Sequence, residues 1–192
     1  MAAREPGEIE IINSTNMEGE LTAMATSIDG RLFIAGAGGI KAYNAHSLPE
    51  FEYLGETEDP TAARELLALG GYLLSFGENG VGVFNIETLE LRDHYPIGYV
   101  ESALPLGDSM VLRTSENDYF VLDLSREMPS ISGRIEADYL PDHAALKSPS
   151  FLRLGHDGLL TVRGEGETEI RLYGLIQYKT DTETLSYYLE EV

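Results

Sequence analysis

Short apolar runs follow one another along the chain, and within them hydrophobic and polar positions alternate. Tyr72-Leu73-Leu74-Ser75-Phe76, Val81-Gly82-Val83-Phe84 and Tyr119-Phe120-Val121-Leu122 are rich in β-branched and aromatic residues and are bounded by Gly, Asn and Asp. Runs of this kind predict β-strands. No segment sustains a 3.6-residue period, so little helix is expected. The best helical candidate, Pro60–Leu69, is short and works equally as a loop leading into a strand.

A small signature recurs four times. A strand-like run ends in Asn or Asp, a few polar residues follow, and a Leu or Met opens the next run. The four instances begin at Asn44, Asn85, Asp123 and Asp181. Their successive separations are 41, 38 and 58 residues. A strand-rich repeat of about 40 residues is the mark of a propeller blade. The long last interval then reads as one repeat plus an insertion, 137–149, bracketed by Pro141 and Pro149.

Each repeat resolves into four strands, a to d. The blades are expected at about 18–56, 62–98, 100–136 and 150–192. Asp29-Gly30, Gly70-Gly71, Gly107-Asp108 and Asp157-Gly158 supply the turn residues between strands a and b, since tight hairpins need positive φ. Gly80 and Gly158 are expected in that conformation. The Asn or Asp closing strand c can accept bonds from its own downstream backbone. A β-sandwich or barrel has the same strand spacing. Matched turn chemistry at three places per repeat favours blades. Glu8–Asn13 alternates Ile with Glu and is expected to be a further strand, completing the last blade or a neighbour's sheet.

The run Gly71-Tyr72-Leu73-Leu74 with Gly80-Val81-Gly82-Val83-Phe84-Asn85-Ile86-Glu87-Thr88-Leu89 resembles the β-propeller superfamily, specifically its YVTN- and LVIVD-like group. The chain lacks Trp, and with it the Trp-Asp signature of WD40 repeats. It also lacks the repeated Gly-Gly and aromatic pattern of kelch. The resemblance implies an all-β, propeller-like chain of about four four-stranded blades, forming a small or incomplete ring. Closed propellers have 4 to 8 blades, so an incomplete ring closing by homodimerisation is an alternative. The resemblance carries no catalytic residues.

Composition narrows the partners. The 192 residues contain 33 acids and 13 Lys or Arg, a net charge of −20. That argues against nucleic acid, whose phosphates need a cationic surface, and against an anionic membrane. It suits a protein partner, a basic one in particular, or a salty solvent. The apolar share of 43% argues against disorder. The absence of Cys excludes disulfides and thiolate zinc sites. No apolar run approaches the roughly 20 residues of a spanning helix. Met1-Ala2-Ala3-Arg4-Glu5-Pro6 lacks the character of a signal peptide, so a cytoplasmic location is expected.

Candidate chemistry is sparse. His46, His94, His143 and His156 show no metal-ligand spacing, and no Gly-x-Ser-x-Gly elbow occurs. Gly36-Ala37-Gly38-Gly39 lacks the Lys and the helix of a phosphate loop, so it reads as a hairpin turn. His143, beside Asp142 in the insertion, is the one histidine in a candidate functional loop. The acids carry more. In a blade, the b–c and d–a connections leave the sheet at the same end. These connections hold Glu56, Glu58, Asp59, Glu78, Glu116, Asp118, Asp138, Asp142, Glu165 and Glu167, against a single base, Lys147. An acidic binding face for a protein partner is the leading expectation, with no cofactor. A channel site for Ca²⁺ or a small polar ligand, and a propeller hydrolase or lyase using Asp142 and His143, are the rivals.

Overall fold

A computed structural model describes residues 20–46, 51–106, 108–116 and 118–135, together with the backbone of four strands between 150 and 191. Among these residues the chain is all-β, without helix, and each run of four consecutive strands forms one four-stranded sheet in sequence order. The first sheet is β1 (Leu21–Thr26), β2 (Arg31–Gly36), β3 (Gly39–Asn44) and β4 (Glu52–Thr57). The second is β5 (Ala63–Leu69), β6 (Tyr72–Gly77), β7 (Gly80–Asn85) and β8 (Leu91–Tyr95). The third is β9 (Val100–Leu106), β10 (Ser109–Thr114), β11 (Tyr119–Asp123) and β12 (Ser130–Arg134). The fourth is β13 (Ser150–Leu152), β14 (Leu159–Val162), β15 (Arg171–Lys179) and β16 (Leu185–Glu191). Four up-and-down sheets laid out in this way are propeller-type blades. The helical alternative for 60–69 is resolved as a loop followed by β5. Glu8–Asn13, Gly158 and the insertion 137–149 lie outside the described residues.

The chain gathers into two compact units. One holds the first sheet and most of the second, and the other holds the tip of the β6–β7 hairpin, the end of β8, and the third and fourth sheets. In the first unit, period-2 alternation sorts the side chains of the first sheet. Ala23, Ala25, Phe33, Ala35, Ile40 and Ala42 share one face, as the register Ala25–Phe33–Ala42 and Ala23–Ala35–Ile40 requires. That face packs with Ala63, Leu66, Leu73, Phe84, Ile86 and Leu89 to form the core. Each large side chain fully buried there contributes about 1.5–3 kcal/mol. The opposite face of the first sheet carries the row Met24–Ile34–Lys41–Glu56 and the row Thr26–Leu32–Tyr43–Tyr53. A register shift between Ala42 and Tyr43 keeps Tyr53 and Glu56 on that one side.

The second sheet reads differently. Leu73 to Gly77 and Gly80 to Phe84 are buried without interruption. Continuous burial along a strand means that both faces are covered. In the second unit, Met110, Leu112 and Leu122 line one face of the third sheet, and Val111 and Val121 line the other; all five are buried. β16 lies beside β12, and β15 and β16 pair from Tyr173–Glu191 to Lys179–Leu185.

Candidate functional site

The turns that close strand c are built alike. The side-chain oxygen of Asn44 accepts the His46 N–H at 3.0 Å. Asn85 Oδ1 accepts the N–H groups of Glu87 and Thr88, both at 2.9 Å, and the Thr88 hydroxyl at 3.1 Å. Asp123 Oδ1 accepts the Ser125 N–H at 2.9 Å and its hydroxyl at 2.6 Å, while Oδ2 meets Arg126 Nε at 2.9 Å. Burial pushes the Asp123 carboxyl up, but the Ser125 bonds and the Arg126 guanidinium together outweigh it and hold it below its ordinary value. In the second sheet the turn ends on Leu89, whose φ of 58° is left-handed and whose N–H donates to the Asn85 carbonyl at 2.9 Å. Leu89 is buried in the core with this backbone.

The other end of the first three sheets carries those of the acids singled out above that lie among the described residues. In the first sheet the β2–β3 turn meets the end of β4 closely: a Cβ on Gly39 would stand 2.2 Å from the Thr57 carbonyl. In the second, a Cβ on Gly80, whose φ is 106°, would stand 2.0 Å from the Tyr95 carbonyl. In the third, the Ser115 N–H donates to the Tyr99 carbonyl at 2.9 Å. The b–c turn and the strand d or d–a backbone are thus joined at one end, three times over.

The individual acids differ in what they do there. Glu56, on β4, lies 3.8 Å from Lys41 Nζ. Glu58, Glu78 and Glu116 are exposed. Asp118 is bound to Arg134, whose guanidinium stands 6.0 Å from the centre of the Phe120 ring. Asp59 turns inward. Its Oδ1 accepts the Thr61 N–H at 3.0 Å and the Thr61 hydroxyl at 2.8 Å, and its Oδ2 accepts the Ala63 N–H at 2.7 Å. The Ser75 hydroxyl lies 3.3 Å from Asp59 Oδ1 and 3.0 Å from Thr61 Oγ1. Thr61 and Ser75 are completely buried, so these bonds satisfy groups that water cannot reach. Gly82 makes room for them, since a Cβ there would stand 2.6 Å from Ser75 Oγ. Asp138, Asp142, His143, Glu165 and Glu167 lie outside the described residues.

Two groups gave no sign in the sequence. Arg113 and Glu101 pair at 2.6 Å on the third sheet. Beside them, burial raises the Tyr119 phenol above its ordinary value, and the Arg113 charge partly offsets this. Their pairing depends on the register of β9 on β10 and β11, which no local motif encodes. His94, on β8, donates from Nε2 to the Asn79 carbonyl at 2.9 Å and ties the outer strand to the β6–β7 turn. Among the described residues no three His, Asp or Glu side chains gather as a metal ion would need. No helix among them is long and apolar enough to cross a membrane.

No protein-family model matches the sequence, and no curated protein matches it. Solved structures do align with most of its length. The N-terminal domain of Nup159 aligns at 13% identity and a TM-score of 0.48, over 89% of this chain and 48% of that one. A complex of Saccharomyces cerevisiae Dbp5 bound to Nup159 and Gle1 aligns at 12% identity and a TM-score of 0.48, over 92% and 50%. The computationally designed protein Ika4 aligns at 12% identity and a TM-score of 0.49, over 95% and 99%. The chain spans about half the length of the first two chains with which it aligns.

Proposed function

We propose that this chain is a non-enzymatic protein-interaction scaffold that docks a basic protein partner against carboxylates at the b–c and d–a ends of its sheets. The YVTN- and LVIVD-like grouping of its blades and a cytoplasmic location belong to the same reading. One observation carries it. Glu58, Glu78 and Glu116 each stand exposed at that end of the chain's blades, on turns whose backbones are braced against strand d or the d–a connection. Carboxylates on a braced turn present fixed negative charge to a cationic side chain, and such charge steers association and sets specificity. The exposed acids at the opposite end, Glu87, Glu90 and Glu127, provide a control of equal charge.

The test uses a lysine-rich peptide as probe, titrated by calorimetry at low and moderate salt. Glu58→Lys/Glu78→Lys/Glu116→Lys should weaken binding at least tenfold. Glu87→Lys/Glu90→Lys/Glu127→Lys changes net charge by the same amount and should weaken it far less. Equal losses in the two triple variants would mean that net charge alone attracts the peptide, and the reading would fall.

A further inference from the structure

We propose that Asn79 is a self-modification site, where the chain's own backbone deamidates the side chain and so releases the outer strand β8 from the β6–β7 turn. This inference is independent of any partner. Asn79 is exposed and begins the one Asn-Gly pair in the chain. The fold dictates the second member of that pair. Gly80 is buried, its φ of 106° is left-handed, and a Cβ on it would stand 2.0 Å from the Tyr95 carbonyl oxygen and 2.9 Å from the Ile97 nitrogen. Only glycine fits there, so the backbone nitrogen after Asn79 always lacks the shielding that a side chain gives. Two other asparagines offer a comparison within the chain. Asn44 and Asn85 precede Ala45 and Ile86, and the Oδ1 of each is committed to N–H groups of its own turn.

The reaction needs water alone. Hydroxide removes the Gly80 amide proton, and the charge left behind is shared between Gly80 N and the Asn79 carbonyl oxygen by peptide resonance. Gly80 N then attacks Asn79 Cγ. The N–Cγ bond forms, the Cγ–Nδ2 bond breaks, and Nδ2 leaves as ammonia with a proton taken from water. A cyclic imide remains, and water reopens it at either carbonyl. Attack at Cγ breaks the bond just made and leaves aspartate. Attack at the former backbone carbonyl breaks its bond to Gly80 N and leaves isoaspartate, with the chain running through Cβ and Cγ. Nothing is oxidised or reduced.

The geometry favours isoaspartate. His94 Nε2 donates to the Asn79 backbone carbonyl at 2.9 Å. A donor on that oxygen stabilises the oxyanion that forms when water adds to its carbon. Isoaspartate inserts a methylene into the backbone beside Gly80, which has no clearance from the Tyr95 carbonyl. The lengthened turn no longer fits against β8. That strand is an edge of its sheet and pairs on one side only, so it loosens.

Incubation of the full chain at mildly alkaline pH tests the proposal. Peptide mapping that separates Asn, Asp and isoaspartate reads the chemistry, and amide hydrogen exchange reads the release of β8. Asn79 should convert at least about tenfold faster than Asn44 or Asn85, with isoaspartate the main product. His94→Ala should lower the ratio of isoaspartate to aspartate about threefold, while His94→Gln, which keeps a donor, should retain it. In the isoaspartate fraction the β8 amides should exchange faster. Fresh Asn79→Asp carries the new charge without the extra methylene, and its β8 should exchange as in wild type. Conversion of Asn79 no faster than Asn85, a product ratio unchanged in His94→Ala, or full β8 protection in the isoaspartate fraction would each overturn the proposal.

Discussion

Both carboxylate oxygens of Asp59 are engaged within the β4–β5 connection, and two fully buried hydroxyls depend on them. Removing an acceptor from buried donors carries their desolvation cost, about 1–3 kcal/mol per group. Asp59→Ala should therefore destabilise by about 2–4 kcal/mol, read as a lowered urea midpoint; a change under about 0.5 kcal/mol would mean that Thr61 and Ser75 find other partners. From the sequence alone Asp59 is one loop acid among many. What directs it inward is Ser75, 16 residues further on, together with the missing side chain at Gly82. No local pattern announces a partnership between a loop and a distant strand. Asp123 makes a second residue-level prediction. Its folded carboxyl titrates below its ordinary value, and an unfolded Asp titrates near 3.9. Stability from this group is thus complete above about pH 4 and is lost as pH falls through the folded value. Asp123→Asn should flatten the acid side of the stability profile and lower stability at neutral pH. If wild type and variant lose stability in parallel between about pH 5 and 2, Asp123 does not contribute in this way.

Among the elements, strands and turns were legible because their determinants are local. Gly71 and Gly80 mark the ends of β6 and β7, and the Asn85 and Asp123 side chains close their turns as the repeat predicts. The loop-or-helix ambiguity at 60–69 was not local: Ala63 and Leu66 are buried at a spacing that would suit a helix, and it is the pairing of β5 with β6 that makes the segment a strand. Likewise, nothing in Glu87-Thr88-Leu89 forecasts that Leu89 takes a left-handed backbone; the core position it fills imposes that conformation. Gly80 tests the turn geometry. Its φ of 106° and its 2.0 Å clearance from the Tyr95 carbonyl both exclude a side chain. Gly80→Val should cost about 1–3 kcal/mol from backbone strain alone, and more with the clash. A denaturation midpoint equal to wild type would show that the β6–β7 hairpin and β8 are not joined as described.

For the whole molecule, net charge is the dominant unlocalised term. The ion pairs present, such as Arg92–Glu90 at 3.1 Å, are largely exposed and each contributes about 0–1 kcal/mol. Repulsion among the surplus acids opposes compaction. Raising NaCl from about 0.02 to 0.5 M should therefore raise the melting temperature of the dilute protein; a fall would place the stabilising ion pairs above the repulsion. The sequence does not distinguish Glu58, which is exposed, from Asp59, turned inward one residue later. Among the described strands, every ladder joins strands adjacent in the chain. Each ladder closes only a short loop, so a sheet can pair at little entropic cost before the packing that joins distant segments is made. Each sheet can zip as soon as about 40 residues have left the ribosome, without waiting for the remainder of the chain.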